Sequence, residues 1–155
     1  MPDPCENAEA REFHREFAMR CNNIAWELST QPRSTIQDRE MLDAAHASAW
    51  HWSKVGTQLN QMRATMLLAE VHALLGFGAS AFTFAVEMRA YFLGNDTPDW
   101  ELAFTHTIYA HAAYAAGRFA DHRAAYEQAS IALMALTDEE DRNIVTKTFD
   151  QVPRP

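Results

Sequence analysis

Two stretches decide the fold: Leu68-Ala69-Glu70-Val71-His72-Ala73-Leu74-Leu75-Gly76 and Tyr109-Ala110-His111-Ala112-Ala113-Tyr114-Ala115-Ala116-Gly117. Each is a run of good helix formers closed by a glycine, the residue that turns left-handed at no steric cost and so ends a helix. The glycines align at an offset of 117 − 76 = 41 residues. Each is followed by a second helical run with small residues at matched offsets: Ala81, Ala85 and Met88 after the first, His122, Tyr126 and Ala129 after the second. A helix, a glycine turn and a returning helix, met twice, predict antiparallel helix pairs.

Outward from these segments the punctuation stays legible. Asp3-Pro4-Cys5-Glu6 reads as an N-cap, an N1 proline and an N3 acid, opening a long first helix with an apolar stripe of Phe13, Phe17, Cys21, Ile24 and Leu28. Thr30-Gln31-Pro32 ends it, and Ser34 with Gln37 forms a capping box for a second helix whose stripe is Leu42, Ala45, Ala49 and Trp52. Gly56 is expected as its left-handed stop. Thr57 caps a third helix with the face Leu59, Met62, Met66, Ala69 and Ala73, and a fourth starts after Gly78 and runs to about Leu93. Thr97-Pro98 restarts the chain as a capped N1 proline, leading to Gly117. The sixth helix carries Phe119, Tyr126, Ala129, Leu133 and Leu136 in register. Thr137 with Glu140 reads as a third capping box, and Val145, Phe149 and Val152 form one face of the last helix before Pro153. No segment alternates with period two. The expectation is an all-α fold of about seven helices over 1–155: an N-terminal pair at about 1–56, repeat-like pairs at 57–94 and 97–136, and a C-terminal capping helix at 137–152.

Composition narrows the function. The 155 residues are 48% hydrophobic and 22% charged, enough apolar surface for a core and too little charge for disorder. Thirteen Lys and Arg against 21 Asp and Glu leave a net charge of −8, which disfavours nucleic acid and anionic membrane as partners. The uncharged runs Val71–Val86 and Leu102–Gly117 are 16 residues each, short of the roughly 20 that span a bilayer. Met1-Pro2-Asp3-Pro4-Cys5-Glu6 lacks the apolar core of a secretory signal. On one helix Cys5 and Cys21 stand about 24 Å apart, too far to bridge, so a reduced cytoplasm is the expected setting.

The segment from Gly117 through Arg118, Phe119, Ala120, Asp121 and His122 to Ala129 resembles a tetratricopeptide helix pair, in which glycine ends the first helix and small residues let the second pack close. The 41-residue offset exceeds the usual length of about 34, and the extra residues fit the connection Leu93–Trp100. His122 stands where a small residue is the rule. Across about Ala44–Leu136, the strings from Ala45 through Trp50, His51 and Trp52 to Gly56, together with Ala73-Leu74-Leu75-Gly76 and Asp99-Trp100-Glu101-Leu102-Ala103-Phe104, resemble a bacterial family of tetratricopeptide-like proteins of unknown function. At Val86-Glu87 that family tends to be basic. The resemblance implies a stacked, all-helical array and carries no reaction with it.

Chemistry-bearing motifs are sparse. Of seven histidines, the pairs His46/His51 and His106/His111 are five residues apart, a net turn of about 140° that puts neither pair on one face. There is no Glu-x-x-His string, Gly-x-Ser-x-Gly, Walker loop or Gly-x-Gly-x-x-Gly, so no metal, cofactor or catalytic residue is assigned. Trp50-His51-Trp52 is the densest aromatic cluster, and Trp52 continues the core stripe while Trp50 shares another face with His46. In stacked helix pairs the first helix of each unit lines the concave surface, which predicts a groove of Arg63, Met66, Glu70 and Leu74 with Phe104, Thr107, His111 and Tyr114 or Ala115. That mixture suits a protein or peptide partner and makes a non-enzymatic interaction protein the leading expectation. The rival is a small-molecule binder or enzyme with an interhelical pocket around Arg63, Glu70, His106 and His111. Apolar residues on more than one side of the fourth helix also predict a homodimer centred on Phe84, Val86 and Phe92.

Overall fold

The computed structural model describes residues 7–155, and among them every regular element is an α-helix. The seven helices are α1 (Ala8–Ser29), α2 (Thr35–Val55), α3 (Gln58–Leu74), α4 (Gly78–Leu93), α5 (Asp99–Ala115), α6 (Phe119–Ala135) and α7 (Glu139–Phe149). No helix among the described residues is long and apolar enough to cross a membrane. The chain divides into two compact units, Met1–Leu68 and Ala69–Pro155, with the division inside α3.

In the first unit α1 packs against α2. The expected opening cap Asp3-Pro4-Cys5-Glu6 lies outside the described residues; α1 is capped instead by Asn7, whose side chain accepts from the backbone of Glu9 and Ala10. The expected core stripe is also displaced. Phe13, Phe17 and Ile24 are exposed, and the buried side of α1 is Ala18, Ala25, Leu28 and Ser29. Facing it in kind are Met41, Ala44, Ala45 and Ser48 of α2, with Ser48 Oγ donating to the Ala18 carbonyl at 2.9 Å. Small residues let two helix backbones approach closely, so here the alanine stripe outcompetes the phenylalanine stripe for the interface. The turn between α1 and α2 is closed by Arg33, which donates to the Leu28 carbonyl at 2.9 Å and pairs with Asp38 at 2.7 Å. The Ser34/Gln37 capping box forms in both directions. Gly56, expected left-handed, has φ −78° and ψ 155°. Its glycine is required for space: a Cβ there would meet the Trp52 carbonyl oxygen at 2.7 Å.

The second unit is organised around α5, which packs against α4, α6 and α7. Every residue from Ala103 to Ala113 is buried, so this helix is covered on all sides. Its buried threonines bond back along the helix, Thr105 Oγ1 to the Glu101 carbonyl and Thr107 Oγ1 to the Ala103 carbonyl, both at 2.8 Å. On α4, Ala81, Ala85 and Met88 are buried, the face that the repeat alignment assigns inward. Phe92 is 1% exposed and belongs to this core, so it has no surface to offer a second copy. Phe119, expected in the core of α6, is 59% exposed. Thr97 does not cap α5; its hydroxyl donates back to the Phe92 carbonyl at 2.6 Å, and Pro98 occupies the cap position. Asp138, one residue after the expected Thr137, caps α7 by accepting from Asp141 N at 2.9 Å.

The two glycine turns are matching Schellman motifs. At the end of α3, Gly76 N donates to the Ala73 carbonyl (3.1 Å) and Phe77 N to the His72 carbonyl (2.9 Å), with Gly76 at φ 77°. At the end of α5, Gly117 N donates to the Tyr114 carbonyl (2.9 Å) and Arg118 N to the Ala113 carbonyl (2.8 Å), with Gly117 at φ 72°.

Candidate functional site

The second unit holds a concavity of about 460 Å³ between these two turns, lined by Ala73, Leu74 and Gly76 from the end of α3, His111, Tyr114, Ala115 and Gly117 from the end of α5, Phe119 from α6, and Pro153. The lining pairs up across the repeat: Ala73 with Tyr114, Leu74 with Ala115 and Gly76 with Gly117 each differ by 41 residues. Beneath it lies the polar centre of the unit. His111 Nδ1 stands 3.1 Å from both Oε1 and Oε2 of Glu70, again an equivalent pair 41 residues apart. Glu70 is 0% exposed and His111 is buried. A carboxylate only accepts, so Nδ1 carries the ring proton and donates it to Glu70. Nε2 makes no hydrogen bond among the described residues, and the ring borders the concavity. Burial alone pushes the His111 pKa down; the charge and hydrogen bond of Glu70 together outweigh it and hold the pKa above its ordinary value.

The rim is aromatic. Tyr114 is 42% exposed, and its ring meets Phe119 at 5.8 Å between centroids and His122 at 5.2 Å. His122, the outsize residue at a small-residue position, is explained by its bond: its Nε2 lies 2.7 Å from the Pro153 carbonyl, tying the C-terminal segment to α6 at the edge of the concavity.

Of the eight residues expected to line a concave groove, the structure gathers Leu74, His111 and Tyr114 around this concavity, with Glu70 behind His111. Met66, Phe104 and Thr107 are buried, and Arg63 lies in the first unit. The rival pocket is brought together only in part. His106 is turned away from His111 by the five-residue step and lies near Arg89, and burial together with that guanidinium depresses its pKa. Arg89 itself stacks over Tyr109 at 4.4 Å. Phe119 and Pro153 were not foreseen as lining residues. The turn equivalence matches Phe119 with Gly78, which does not line the recess, so nothing in the sequence marks Phe119 or Pro153 as lining residues.

The first unit has its own cluster. His14 Nδ1 and His51 Nδ1 are 2.8 Å apart, Phe17 stacks on His51 at 5.7 Å, and Trp50 lies edge-on to His51 at 5.0 Å. One imidazole donates to the other, so both rings do not hold a full charge together, and burial followed by His14 depresses the His51 pKa. A second concavity in this unit, about 450 Å³, is lined by Cys21, Ile24, Ile36, Arg39, Glu40, Asp43, Ala44 and Ala47. Among the described residues no three His, Cys, Asp or Glu side chains converge as a metal site requires. Compared with known proteins, the chain matches no family model, no curated protein and no solved structure.

Proposed function

We propose that the chain is a non-enzymatic, tetratricopeptide-like binding module that takes an extended segment of a partner protein in the concavity between the two glycine turns. The observation that carries this reading is the buried Glu70–His111 pair at the floor of an open, aromatic-rimmed recess. Rigid polar groups below and exposed Tyr114 and Phe119 above are the ingredients of an interface anchor. The repeat reading is supported by the matched Schellman turns and by the meeting of equivalent positions 70 and 111. Cys21 is a free thiol, which agrees with a reducing, cytoplasmic setting. Selection of a random peptide library on the whole chain tests the reading. Enriched peptides should lose binding about tenfold or more in Tyr114→Ala or Phe119→Glu, as anchors of about 1.4 kcal/mol or more require. Peptides indifferent to both substitutions refute it.

The rival small-molecule or enzymatic reading draws on the same pair, because a carboxylate that holds Nδ1 leaves Nε2 as a proton acceptor. The openness of the recess weighs against it, since proton-transfer sites gain from excluding water. Self-association through α4 is a separate proposal resting on Val86, 47% exposed, beside half-buried Phe84. Light scattering at tens of micromolar checks it, with a persistent monomer ending the idea.

A further inference from the structure

The concavity has an electrostatic sign. Its two walls are the last turns of α3 and α5, and a helix C-terminus carries roughly half a negative charge. Its floor is backed by the buried carboxylate of Glu70, and no lining residue is a lysine, arginine, aspartate or glutamate. With Nδ1–H committed to Glu70, a neutral His111 turns an acceptor, Nε2, to the recess. The rim carries two aromatic rings, Tyr114 and Phe119, packed edge to face, and the faces of such rings are negative by their quadrupole.

Arg154, exposed, follows the lining residue Pro153, and other polar groups beside the recess are engaged elsewhere. Arg118 donates from Nε to Asp121 at 2.7 Å and lies over the Phe82 ring at 4.5 Å. His122 bonds the Pro153 carbonyl. On α3, His72 packs edge-on against Phe77 and Phe84. In this chain of net charge −8 the recess thus has apolar walls, an aromatic rim and, among its lining residues, no basic group other than His111.

We infer that this concavity receives the cationic side chain of a lysine or arginine from the partner's extended segment, ringed by Tyr114 and Phe119 and hydrogen-bonded at its tip to Nε2 of His111. The inference rests on the binding-module reading above and adds the chemistry of the residue that anchors there.

The test is an NMR titration of the isotope-labelled full chain, run on the alkaline side of the His111 titration followed in the same spectra, because Glu70 holds that pKa above the ordinary histidine value and the ring must be neutral to accept. Three probes share one frame, acetyl-Leu-Xaa-Leu-amide, with Xaa lysine, norleucine or glutamate. The lysine probe should move the resonances of His111, Tyr114 and Phe119 and bind about tenfold more tightly than norleucine, which has a similar stem and no charge. Glutamate should bind least. Phe119→Leu, at an exposed position, should weaken the lysine probe several-fold more than it weakens norleucine. Norleucine equal to lysine, or glutamate tighter, with the shifts still at these residues, overturns the cation and leaves the binding module standing. No shift at any lining residue with about 5 mM of each probe, ample for a millimolar site, overturns both.

Discussion

Gly78→Ala is the sharpest probe of how the second unit is built. A Cβ at Gly78 would lie 2.1 Å from the Ala115 carbonyl oxygen, 2.5 Å from its carbon and 2.7 Å from Ala116 Cα. All three are backbone atoms of the α5 terminus, so no flexible side chain swings aside; the start of α4 must retreat by more than about 1 Å to reach ordinary contact. Overpacking of this kind costs about 1–3 kcal/mol, and the better helix propensity of alanine returns less than 1 at a first helical position. A net loss of about 2 kcal/mol follows. Gly76 and Gly117 make the control, since a Cβ at either meets nothing within 4 Å and their positive φ is the obstacle. Alanine there costs about 1–2 kcal/mol for the left-handed conformation, less what it takes from unfolded-chain entropy. Asparagine tolerates that conformation, so Gly117→Asn should be milder than Gly117→Ala, whereas Gly78→Asn should be worse than Gly78→Ala. Urea unfolding of the four variants, followed by circular dichroism, reads out this crossed pattern. A Gly78→Ala protein as stable as wild type, or an asparagine order that runs the same way at both sites, refutes the close approach of α4 to the end of α5.

Stability should depend on pH in two windows. Because Glu70 holds the folded His111 pKa above the ordinary 6.5, the pair's contribution is full below that value and lost as pH rises through the folded pKa; His51 and His106, depressed by burial, act oppositely, their contribution being full above 6.5 and lost as pH falls from there through their lower folded pKa values. Urea midpoints measured across this range should therefore turn over, and His111→Gln should flatten only the alkaline limb. Glu70→His and His111→Glu should each cost about 3 kcal/mol, while the double swap recovers at least 1, because it restores the pair at equivalent positions; additive losses in the unfolding cycle contradict the contact. His122→Ala should cost about 1 kcal/mol and speed amide hydrogen exchange at Val152 and Arg154, the bond to the Pro153 carbonyl being lost; exchange at the wild-type rate refutes that tether.

Helix existence was legible because its signals are local. Ser34 and Gln37 form the reciprocal box that their spacing announces, and Thr57 with Asn60 caps α3 in the same way. Gly76 and Gly117 turn left-handed where the apolar run stops. The reading failed where two local signals compete and tertiary packing chooses. On α1 the large stripe Phe13, Phe17 and Ile24 competes with the small stripe Ala18 and Ala25, and hydropathy favours the first while close helix approach favours the second. Thr97 is a good cap by type, yet its hydroxyl reaches back to the Phe92 carbonyl, as the Asn95 side chain does to the Tyr91 carbonyl, so both satisfy the end of α4 instead. Gly56 shows that a glycine after a helix has two possible reasons, a positive φ or a missing Cβ, and only the neighbour, here Trp52, tells them apart.

The Glu70–His111 pair illustrates a harder case, because nothing in either residue's neighbourhood points to the other. Glu70 and His72 face different ways on α3, and His106 and His111 do likewise on α5. What joins Glu70 to His111 is the level at which the two helices end. Glu70 precedes Gly76 by 76 − 70 = 6 residues, and His111 precedes Gly117 by 117 − 111 = 6. If the two Schellman turns lie side by side, any two side chains at that depth meet when both face inward. The two turns do line one concavity, and Gly78, just beyond the first, brings α4 onto the backbone of Ala115 and Ala116, just before the second. A missing Cβ at Gly78 therefore sets the register that places a carboxylate against an imidazole two turns deeper. The turn geometry and the chemistry of the recess are consequences of one alignment, so a substitution that disturbs the first should also move the His111 titration, although Gly78 does not line the recess and Glu70 lies six residues below the turn.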